Sequence, residues 1–145
     1  MQKGRHNAFS AADYGGRPLI VPLDRFTKAN SYFRTALWTG KHFQMTLMSI
    51  PVGGDIGLEV HPDVDQFLSI QDGCAVVRMG RSQNALTYQQ KVTSGFAVLV
   101  PAGTWHNIIN TGNAPLKLYS IYAPPQHPFG TVHKTKADTE KAEQQ

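Results

Sequence analysis

The amino-acid sequence predicts an all-β fold, a sandwich or a barrel, in a single domain. Apolar residues recur mainly at every second position, which is the spacing of a strand with one buried face. The candidate strands are short, and turn-forming Gly, Pro, Asn and Asp residues separate them along the chain. A length of 145 residues fits one domain, and thirteen glycines and nine prolines suit a fold with many turns.

The individual strands are predicted from alternation and from the positions of turn residues. Leu19–Val21 lies between Pro18 and Pro22, which favours an edge strand because proline has no N–H to donate. The segment Phe43–Ile50 alternates. One face carries Phe43, Met45, Leu47 and Ser49, and the opposite face carries Gln44, Thr46, Met48 and Ile50. Seven further strands are predicted at Ile56–His61, Gln66–Gln71, Cys74–Met79, Ala85–Val92, Phe96–Val100, Trp105–Asn110 and Pro115–Tyr122.

The C-terminal residues have a different composition. Pro124 and Pro125 end the strand region, and Thr135–Gln145 is polar, rich in Lys and Glu, and free of large apolar side chains. The spacing of Thr135 and Asp138 is that of a helix cap and predicts one short surface helix.

Composition and charge narrow the classes of partner. The net charge is +4, but the basic residues are scattered and form no stripe interleaved with aromatic residues, so we expect no nucleic-acid partner. No segment approaches the ~20 apolar residues of a membrane span, and Met1–Tyr14 carries no apolar run of signal-peptide length. We therefore expect a cytoplasmic protein without a membrane partner. The single cysteine, Cys74, excludes an internal disulfide.

The middle of the chain contains two motifs with fixed spacing. In the first, Gly53 is followed after five residues by Glu59-Val60-His61, after four more by Gln66, and after six more by Gly73. This motif joins two candidate strands through a short polar turn, and it carries three side chains that can bind a metal ion.

The second motif runs from Gly95 to Asn110. Five residues separate Gly95 from Pro101-Ala-Gly103, two residues follow before His106, and three more precede Asn110. A strand therefore rises to the proline, turns at the glycine, and a second strand begins near the histidine.

Both motifs resemble the signature motifs of the cupin superfamily. The second motif matches at every fixed position, whereas the first keeps the spacing and changes two residues. Glu59 stands where the family usually has the first histidine of His-x-His, and Gln66 stands where it usually has glutamate. The resemblance implies that the metal ligands are Glu59, His61, Gln66 and His106.

The resemblance also implies a more definite fold. It predicts a double-stranded β-helix, or jelly-roll barrel, over residues 17–123. A short N-terminal arm of residues 1–16 and a polar C-terminal tail of residues 124–145 flank this barrel. Proteins of this kind usually pair, so we expect a homodimer in which Leu19–Val21 could lend a strand to the partner.

Strand geometry is consistent with a shared site at the four implied ligands. Residues two apart in a strand face the same side, so Glu59 and His61 are expected to point together. With His106 they form a two-histidine, one-carboxylate set that suits Fe(II), and Mn, Ni or Zn fit the same donors. Gln66 is then a weak fourth ligand or a group that orients a bound water. The alternative is a cupin without metal, in which His61 and His106 are core histidines.

Other residues have two readings each. Arg78 could bind an anionic substrate inside the barrel, or it could face solvent. His127 and His133 could reach the mouth of the barrel as acid–base groups, or they could be exposed. The remaining candidates are predicted to have no catalytic role: Trp105 and Phe67 on the outer face, Asp63 and Asp65 in solvated loops, and Cys74.

The resemblance leaves three functions open, because one fold hosts many activities. The whole chain resembles small bacterial cupins labelled mannose-6-phosphate-isomerase-like, which implies a metal-dependent enzyme acting on a small molecule such as a sugar phosphate. The second function is a non-haem iron dioxygenase that uses Glu59, His61 and His106. The third is a non-catalytic cupin that binds or senses a small ligand. A phosphate group needs at least two basic residues, and the sequence offers only Arg78 and lysines of the C-terminal tail.

Overall fold

Residues 8–143, which the computed structural model describes, form nine strands and two short helices. The helices are α1 (Leu23–Ala29) and α2 (Lys136–Glu143), and neither has the length and apolar character needed to cross a bilayer. The strands are β1 (Arg34–Thr39), β2 (Gln44–Ile50), β3 (Asp65–Asp72), β4 (Cys74–Gly80), β5 (Tyr88–Thr93), β6 (Ala97–Val100), β7 (Trp105–Asn110), β8 (Leu116–Ala123) and β9 (Val132–His133).

The strands form two antiparallel sheets that enclose one core. The larger sheet has the order β6-β3-β8-β2-β1-β9, and the smaller has the order β5-β4-β7. Leu68 and Leu118 of the larger sheet belong to the same buried cluster as Val77 and Ile108 of the smaller. Two such sheets closed around a shared interior form a double-stranded β-helix, so the predicted fold is confirmed.

The interior of this barrel changes from apolar to polar along its length. From the apolar end to the polar end, the inward residues of three neighbouring strands are Leu116, Leu118, Ser120 and Tyr122 in β8, Ile70, Leu68 and Gln66 in β3, and Ile50, Met48, Thr46 and Gln44 in β2. The register places Gln66 and Gln44 on either side of Tyr122, so the polar residues meet at one end. Burying polar groups is costly unless they have partners, which makes this end the candidate for a site.

A second apolar cluster covers the outer face of the larger sheet. Phe26 of α1 packs there with Leu37 of β1 and Leu47 of β2, and all three are buried. Leu47 and Met48 enter different clusters, which confirms the two faces predicted for Phe43–Ile50.

The edge strand predicted at Leu19–Val21 is wrong for the single chain, because these residues pair with no strand of the described part. Leu19 and Val21 instead pack their side chains against the second apolar cluster, whereas Ile20 is 92% exposed. Neither α1 nor β1 was predicted.

The strand predicted at Ile56–His61 is also wrong. Within this segment only Glu59 forms a bridge, to His106 of β7. Gly57 has φ 98°, a conformation that favours glycine, and its N–H donates to the side-chain Oδ1 of Asn107 at 3.1 Å. The glycine therefore interrupts the ladder two residues before Glu59.

Residues 124–143 return to the barrel. Gln44 Oε1 accepts the backbone N–H of His127 at 2.9 Å, and Gln44 Nε2 donates to the His127 carbonyl at 2.9 Å, which fixes this segment against β2. The next residues form β9, which pairs with β1. Helix α2 follows Thr135, whose Oγ1 accepts the N–H of Asp138 at 3.4 Å, so the predicted short helix is confirmed.

Candidate metal centre

The polar end of the barrel brings Glu59, His61 and His106 together. Each of them offers one ligand atom, and these atoms lie within 4.8 Å of one another. Glu59 Oε1 is 3.2 Å from His61 Nε2 and 3.3 Å from His106 Nε2. Three of the four implied ligands therefore meet at one point.

Backbone pairing sets this geometry. The N–H of Glu59 donates to the carbonyl of His106 at 3.0 Å, and the N–H of His106 donates to the carbonyl of Glu59 at 2.9 Å. Antiparallel residues directly opposite each other project their side chains to the same face. That face is the barrel interior, because His106 is 1% exposed and Ile108, two residues later, lies in the core.

The turn before β7 holds His61 and orients His106. Gly103 has φ 82°, and its N–H donates to the carbonyl of His61 at 2.9 Å. His106 Nδ1 lies 3.0 Å from the carbonyl of Thr104. Because a carbonyl can only accept, the proton belongs on Nδ1 and leaves the lone pair on Nε2, the tautomer that binds a metal through Nε2.

The nitrogens that face this centre have no hydrogen-bond partners. Nε2 of His61 and Nε2 of His106 are buried, and their alignment with Glu59 is too poor for hydrogen bonds. A buried polar atom without a partner costs about 1–3 kcal/mol, so native proteins seldom leave one. A cation between the three side chains would satisfy both lone pairs, and the donor set therefore fits a metal ion.

Glu59 supplies the negative charge. Burial alone would raise its pKa, but the imidazoles of His106 and His61 outweigh burial and lower the pKa to about 2. The Glu59 side chain is 21% exposed and the His106 side chain 1%. The carboxylate therefore lies toward the opening of the site, and the histidines lie deeper.

Gln66 lies on the inner face of β3 and is 4% exposed. Its Nε2 donates to Ser120 Oγ at 2.9 Å, and its Oε1, the atom that can bind a cation, is buried without a partner. Gln66 is paired with Tyr122, whose ring contacts that of His61 edge-on at 5.8 Å between centroids. Gln66 therefore lies at the same end of the barrel, and its role as a ligand stays a prediction.

Tyr122 and His127 extend the polar end beyond the implied ligands. Burial raises the pKa of Tyr122, so this residue is a neutral phenol. The ring of His127 packs edge-on against Tyr122 at 5.1 Å, and burial together with the Arg34 cation lowers the pKa of His127 to about 3. His127 therefore does reach the barrel interior, as a neutral imidazole. Tyr122 was missed, although its even spacing from Leu118 on β8 indicates the inner face.

Several other candidates lie away from this centre. Arg78 is on the outer face of β4, because its neighbours Val77 and Met79 pack in the barrel core, so its reading as a ligand of substrate inside the barrel is wrong. Three of the others have the positions predicted for them: Phe67 packs on Tyr119 of the neighbouring strand, Trp105 alternates with the buried His106, and Asp63 is exposed in a turn. Asp65 is exposed, but it begins β3 instead of lying in a loop, and its carboxylate accepts the N–H of Ala102. Cys74 is exposed.

One carboxylate and two imidazoles on separate segments suit a divalent transition metal. Sets of two histidines and one carboxylate leave coordination positions open on the metal. Such open positions allow a metal to bind and polarise a small molecule.

Comparison with known proteins places this geometry in a family. Residues 46–122 match the family model described as the cupin domain. The uncharacterised protein YrkC of Bacillus subtilis is 65% identical over 131 residues, which are 90% of this chain and 70% of YrkC. The uncharacterised protein L612 of Acanthamoeba polyphaga mimivirus is 40% identical over 114 residues, 78% of this chain and 69% of L612.

A solved structure agrees with these relatives. The crystal structure of BH2720 from Bacillus halodurans superposes with a TM-score of 0.89 at 59% identity, over 90% of this chain and 98% of that protein. The matched residues include β3 to β7, most of β2 and β8, and the implied ligands Glu59, His61, Gln66 and His106. The chain therefore belongs to the cupin family.

Proposed function

We propose that this cupin binds one divalent transition metal and uses it as an enzyme acting on a small organic molecule. The proposed ligands are Glu59, His61 and His106, with Gln66 as a weak fourth ligand, and the metal is Fe, Mn, Ni or Zn. The observation that carries the proposal is the convergence of two buried imidazole nitrogens, neither with a well-aligned hydrogen bond, on the carboxylate oxygen of Glu59.

The alternative, a barrel with satisfied core histidines, accounts less well for these atoms. In a structural role, Nε2 of each histidine would have a hydrogen-bond acceptor, and Gln66 Oε1 would have a donor. Gln66 Oε1 has no donor, and Nε2 of each histidine faces only the Glu59 carboxylate, without a well-aligned hydrogen bond. The other polar atoms of these side chains are used: Gln66 Nε2 donates to Ser120 and His106 Nδ1 to Thr104. The atoms left over are those that a cation would use.

Two neutral polar side chains lie near the centre. When bound, the metal would act as a Lewis acid toward a carbonyl, hydroxyl or carboxylate of the substrate. Tyr122 holds a proton on its buried phenol, and His127 presents a buried Nε2 without a partner. A neutral imidazole and a neutral phenol can both make hydrogen bonds to a bound molecule, so we propose that these two residues orient the substrate.

The donor set favours an oxygen-dependent reaction at Fe(II) over a sugar-phosphate isomerisation. Two histidines and one carboxylate are the ligand type of non-haem iron oxygenases. A phosphate group calls for at least two basic residues, and Arg34 is the one fully buried Lys or Arg of residues 8–143. The isomerase-like reading, which follows from family labels, stays a prediction.

Elemental analysis of the purified protein tests the proposal. We expect about one transition-metal equivalent per chain after loading with Fe, Mn, Ni or Zn, and loss of that metal in Glu59→Gln. Glu140→Gln, on the exposed face of α2, is the matched control and should keep the metal. A wild-type protein that retains none of the four metals would refute the proposal.

Metal removal separates the enzyme from the binding module. An enzyme of this kind should lose turnover in a chelator and regain it with metal. If a ligand bound equally well with and without metal and no turnover followed from any of the four metals, a binding or sensing cupin would be the correct reading.

The expected homodimer stays part of the proposal. An apolar groove on the outer surface, lined by Leu19, Ile20, Trp38 and Phe43 among others, supports it because such surfaces often pair. Light scattering after size-exclusion chromatography should give twice the 16.0 kDa chain mass, and a monomer would contradict it. The cytoplasmic location and the limits of residues 17–123 also stay predictions.

A further inference from the structure

Arg34 is buried in the barrel interior although it carries a permanent charge. It is 2% exposed. It faces inward because Ala36, two residues later on β1, is opposite Thr46, which lies on the inner face of β2. Guanidinium stays protonated at any physiological pH, so this residue cannot escape the cost of burial by losing its charge.

The partners of Arg34 are neutral. Its Nη1 donates to Thr139 Oγ1 at 3.0 Å and lies 3.4 Å from His133 Nδ1, while its Nε is buried without an acceptor. Its guanidinium also lies 5.4 Å from the centroid of the Phe33 ring, which is a cation–π contact. A buried cation without an anionic partner is destabilising, and none of the ion pairs of residues 8–143 gives Arg34 such a partner.

A row of rings connects Arg34 to the metal centre. His61 contacts Tyr122 at 5.8 Å, Tyr122 contacts His127 at 5.1 Å, and His127 lies 6.4 Å from His133, the residue opposite Arg34 in β9. Both Arg34 and Glu59 act electrostatically on Tyr122 and on His127. The two charges therefore lie on either side of the same pair of neutral rings.

We infer that Arg34 binds the carboxylate of a small organic acid whose other end reaches the metal centre, so that the substrate class of the proposed function is a carboxylic acid anion. The inference rests on the proposed function for the second contact only. One guanidinium supplies a single positive charge in a planar fork, which matches a carboxylate. A phosphate dianion would need a second cation, and the rings of His127 and Tyr122 beside Arg34 are neutral.

In a purely structural role, Arg34 would hold α2 in place through its hydrogen bond to Thr139. That role uses Nη1 and the contact of the guanidinium with the Phe33 ring, and it leaves Nε without an acceptor and the positive charge without an anion. It also predicts a different response to mutation, because a substitution at Thr139 removes this hydrogen bond but keeps the positive charge of Arg34. The substitution Thr139→Val is therefore the matched control for substitutions at Arg34.

Calorimetric titration with acetate, oxalate and inorganic phosphate at constant ionic strength tests the inference, on metal-loaded and on chelator-treated protein. We expect both carboxylates to bind chelator-treated wild type more tightly than phosphate, because binding to this sample reports on Arg34 without the metal. Arg34→Met should weaken carboxylate binding by about ten- to a hundred-fold, Arg34→Lys by less, and Thr139→Val should leave it unchanged.

The outcomes separate this inference from the proposed function. Carboxylate binding that is equal in wild type and Arg34→Met, tighter binding of phosphate than of acetate by the chelator-treated protein, or equal loss in Thr139→Val and Arg34→Lys would each overturn it. If Arg34→Met does not fold, the comparison of Arg34→Lys with Thr139→Val decides. Elemental analysis of the same samples reports the metal independently: metal without carboxylate binding overturns only the inference, and Arg34-dependent acetate binding without metal overturns only the proposed function.

Discussion

Glu59 and His106 are paired both through the backbone and through the side chains. Their peptide groups exchange two hydrogen bonds, of 3.0 and 2.9 Å, and Glu59 Oε1 lies 3.3 Å from His106 Nε2. The bridge is isolated, because Gly57 breaks the ladder before it. The Ile56 N–H also donates to the Ile108 carbonyl at 3.0 Å, and the Gly57 N–H to Asn107 Oδ1 at 3.1 Å. These bonds and the pair together fix the relative position of two ligands from distant parts of the sequence, so ligand geometry should be rigid there.

His106→Ala should remove the metal without unfolding the barrel. The substitution deletes one donor and the Nδ1 bond to Thr104, so we expect metal affinity to fall by more than about 100-fold. The free energy of unfolding of the metal-free protein should fall by only about 1–3 kcal/mol, because the apolar core is untouched. Elemental analysis and urea unfolding in chelator measure the two effects.

The control for this prediction is His42→Ala, which removes an exposed histidine. It should change neither metal content nor stability. Full metal retention in His106→Ala would contradict the assigned ligand set, and global unfolding of that variant would make His106 a structural residue instead.

Gln66→Glu should tighten metal binding and destabilise the metal-free protein. The carboxylate would replace a neutral amide oxygen that is buried and partnerless, which adds a negative charge beside a divalent cation. Without metal the same charge is buried without a counter-ion, which costs stability. We expect at least a ten-fold lower Kd for Mn or Fe, or about 1.4 kcal/mol, together with a lower Tm in chelator.

Equal metal affinity in wild type and Gln66→Glu would show that Gln66 lies outside the coordination sphere. Gln71→Glu, on the same strand and half-buried, is the matched control. It should leave the affinity unchanged.

Most of the fold and the central triad could be predicted from the sequence, because they depend on local patterns. The alternation in Phe43–Ile50 and the fixed spacing around His106 each reflect geometry within a few residues. The reasoning that placed Glu59 beside His61 assumed a continuous strand, and the structure replaces it with a glycine-interrupted segment tied to β7 and to Gly103. Glu59 and His61 thus lie together, as the spacing predicts, but through a different local structure.

Residues whose roles depend on distant pairing could not be predicted in this way. Arg34 is an ordinary basic residue in the sequence, and only the pairing of β1 with β2 and β9 turns it inward. Tyr122 becomes part of the site through its register with Gln66. His127 becomes part of the site because its backbone N–H donates to the side chain of Gln44, which is 83 residues away in the sequence.

Gly103→Ala should lower metal affinity as well as stability. Its φ of 82° is unfavourable for alanine by about 1–2 kcal/mol, although a Cβ there would meet no atom within 4 Å. Relaxing that strain would move the N–H that holds the His61 carbonyl. Gly53→Ala is a closely matched control, with φ 76° and open space for a Cβ, but without a bond to the metal centre.

Both glycine variants should lose similar stability in thermal unfolding, and only Gly103→Ala should lose metal affinity in titrations with Zn or Mn. Equal metal affinity in the two variants would mean that the turn at Gly103 does not position His61.

His127 should make the metal-free protein sensitive to acid. Burial and the neighbouring Arg34 lower its pKa from 6.5 to about 3, so in the folded state it stays neutral while the unfolded chain takes up a proton. Above pH 6.5 both states are neutral and the residue contributes nothing to the pH dependence. Between pH 6.5 and 3 the unfolded state binds more protons, so stability falls with falling pH, by about 2 kcal/mol at pH 5 from this group alone.

His127→Phe keeps a ring against Tyr122 but cannot take up a proton, so it should remove this part of the pH dependence. Urea unfolding in chelator at several pH values between 7 and 4 measures the slope, and comparison with wild type cancels the groups that both proteins share. His42→Phe, at an exposed position, should follow the wild-type profile. Parallel profiles for wild type and His127→Phe would mean that His127 is protonated in the folded barrel, and its assignment as a neutral imidazole beside Tyr122 would be wrong.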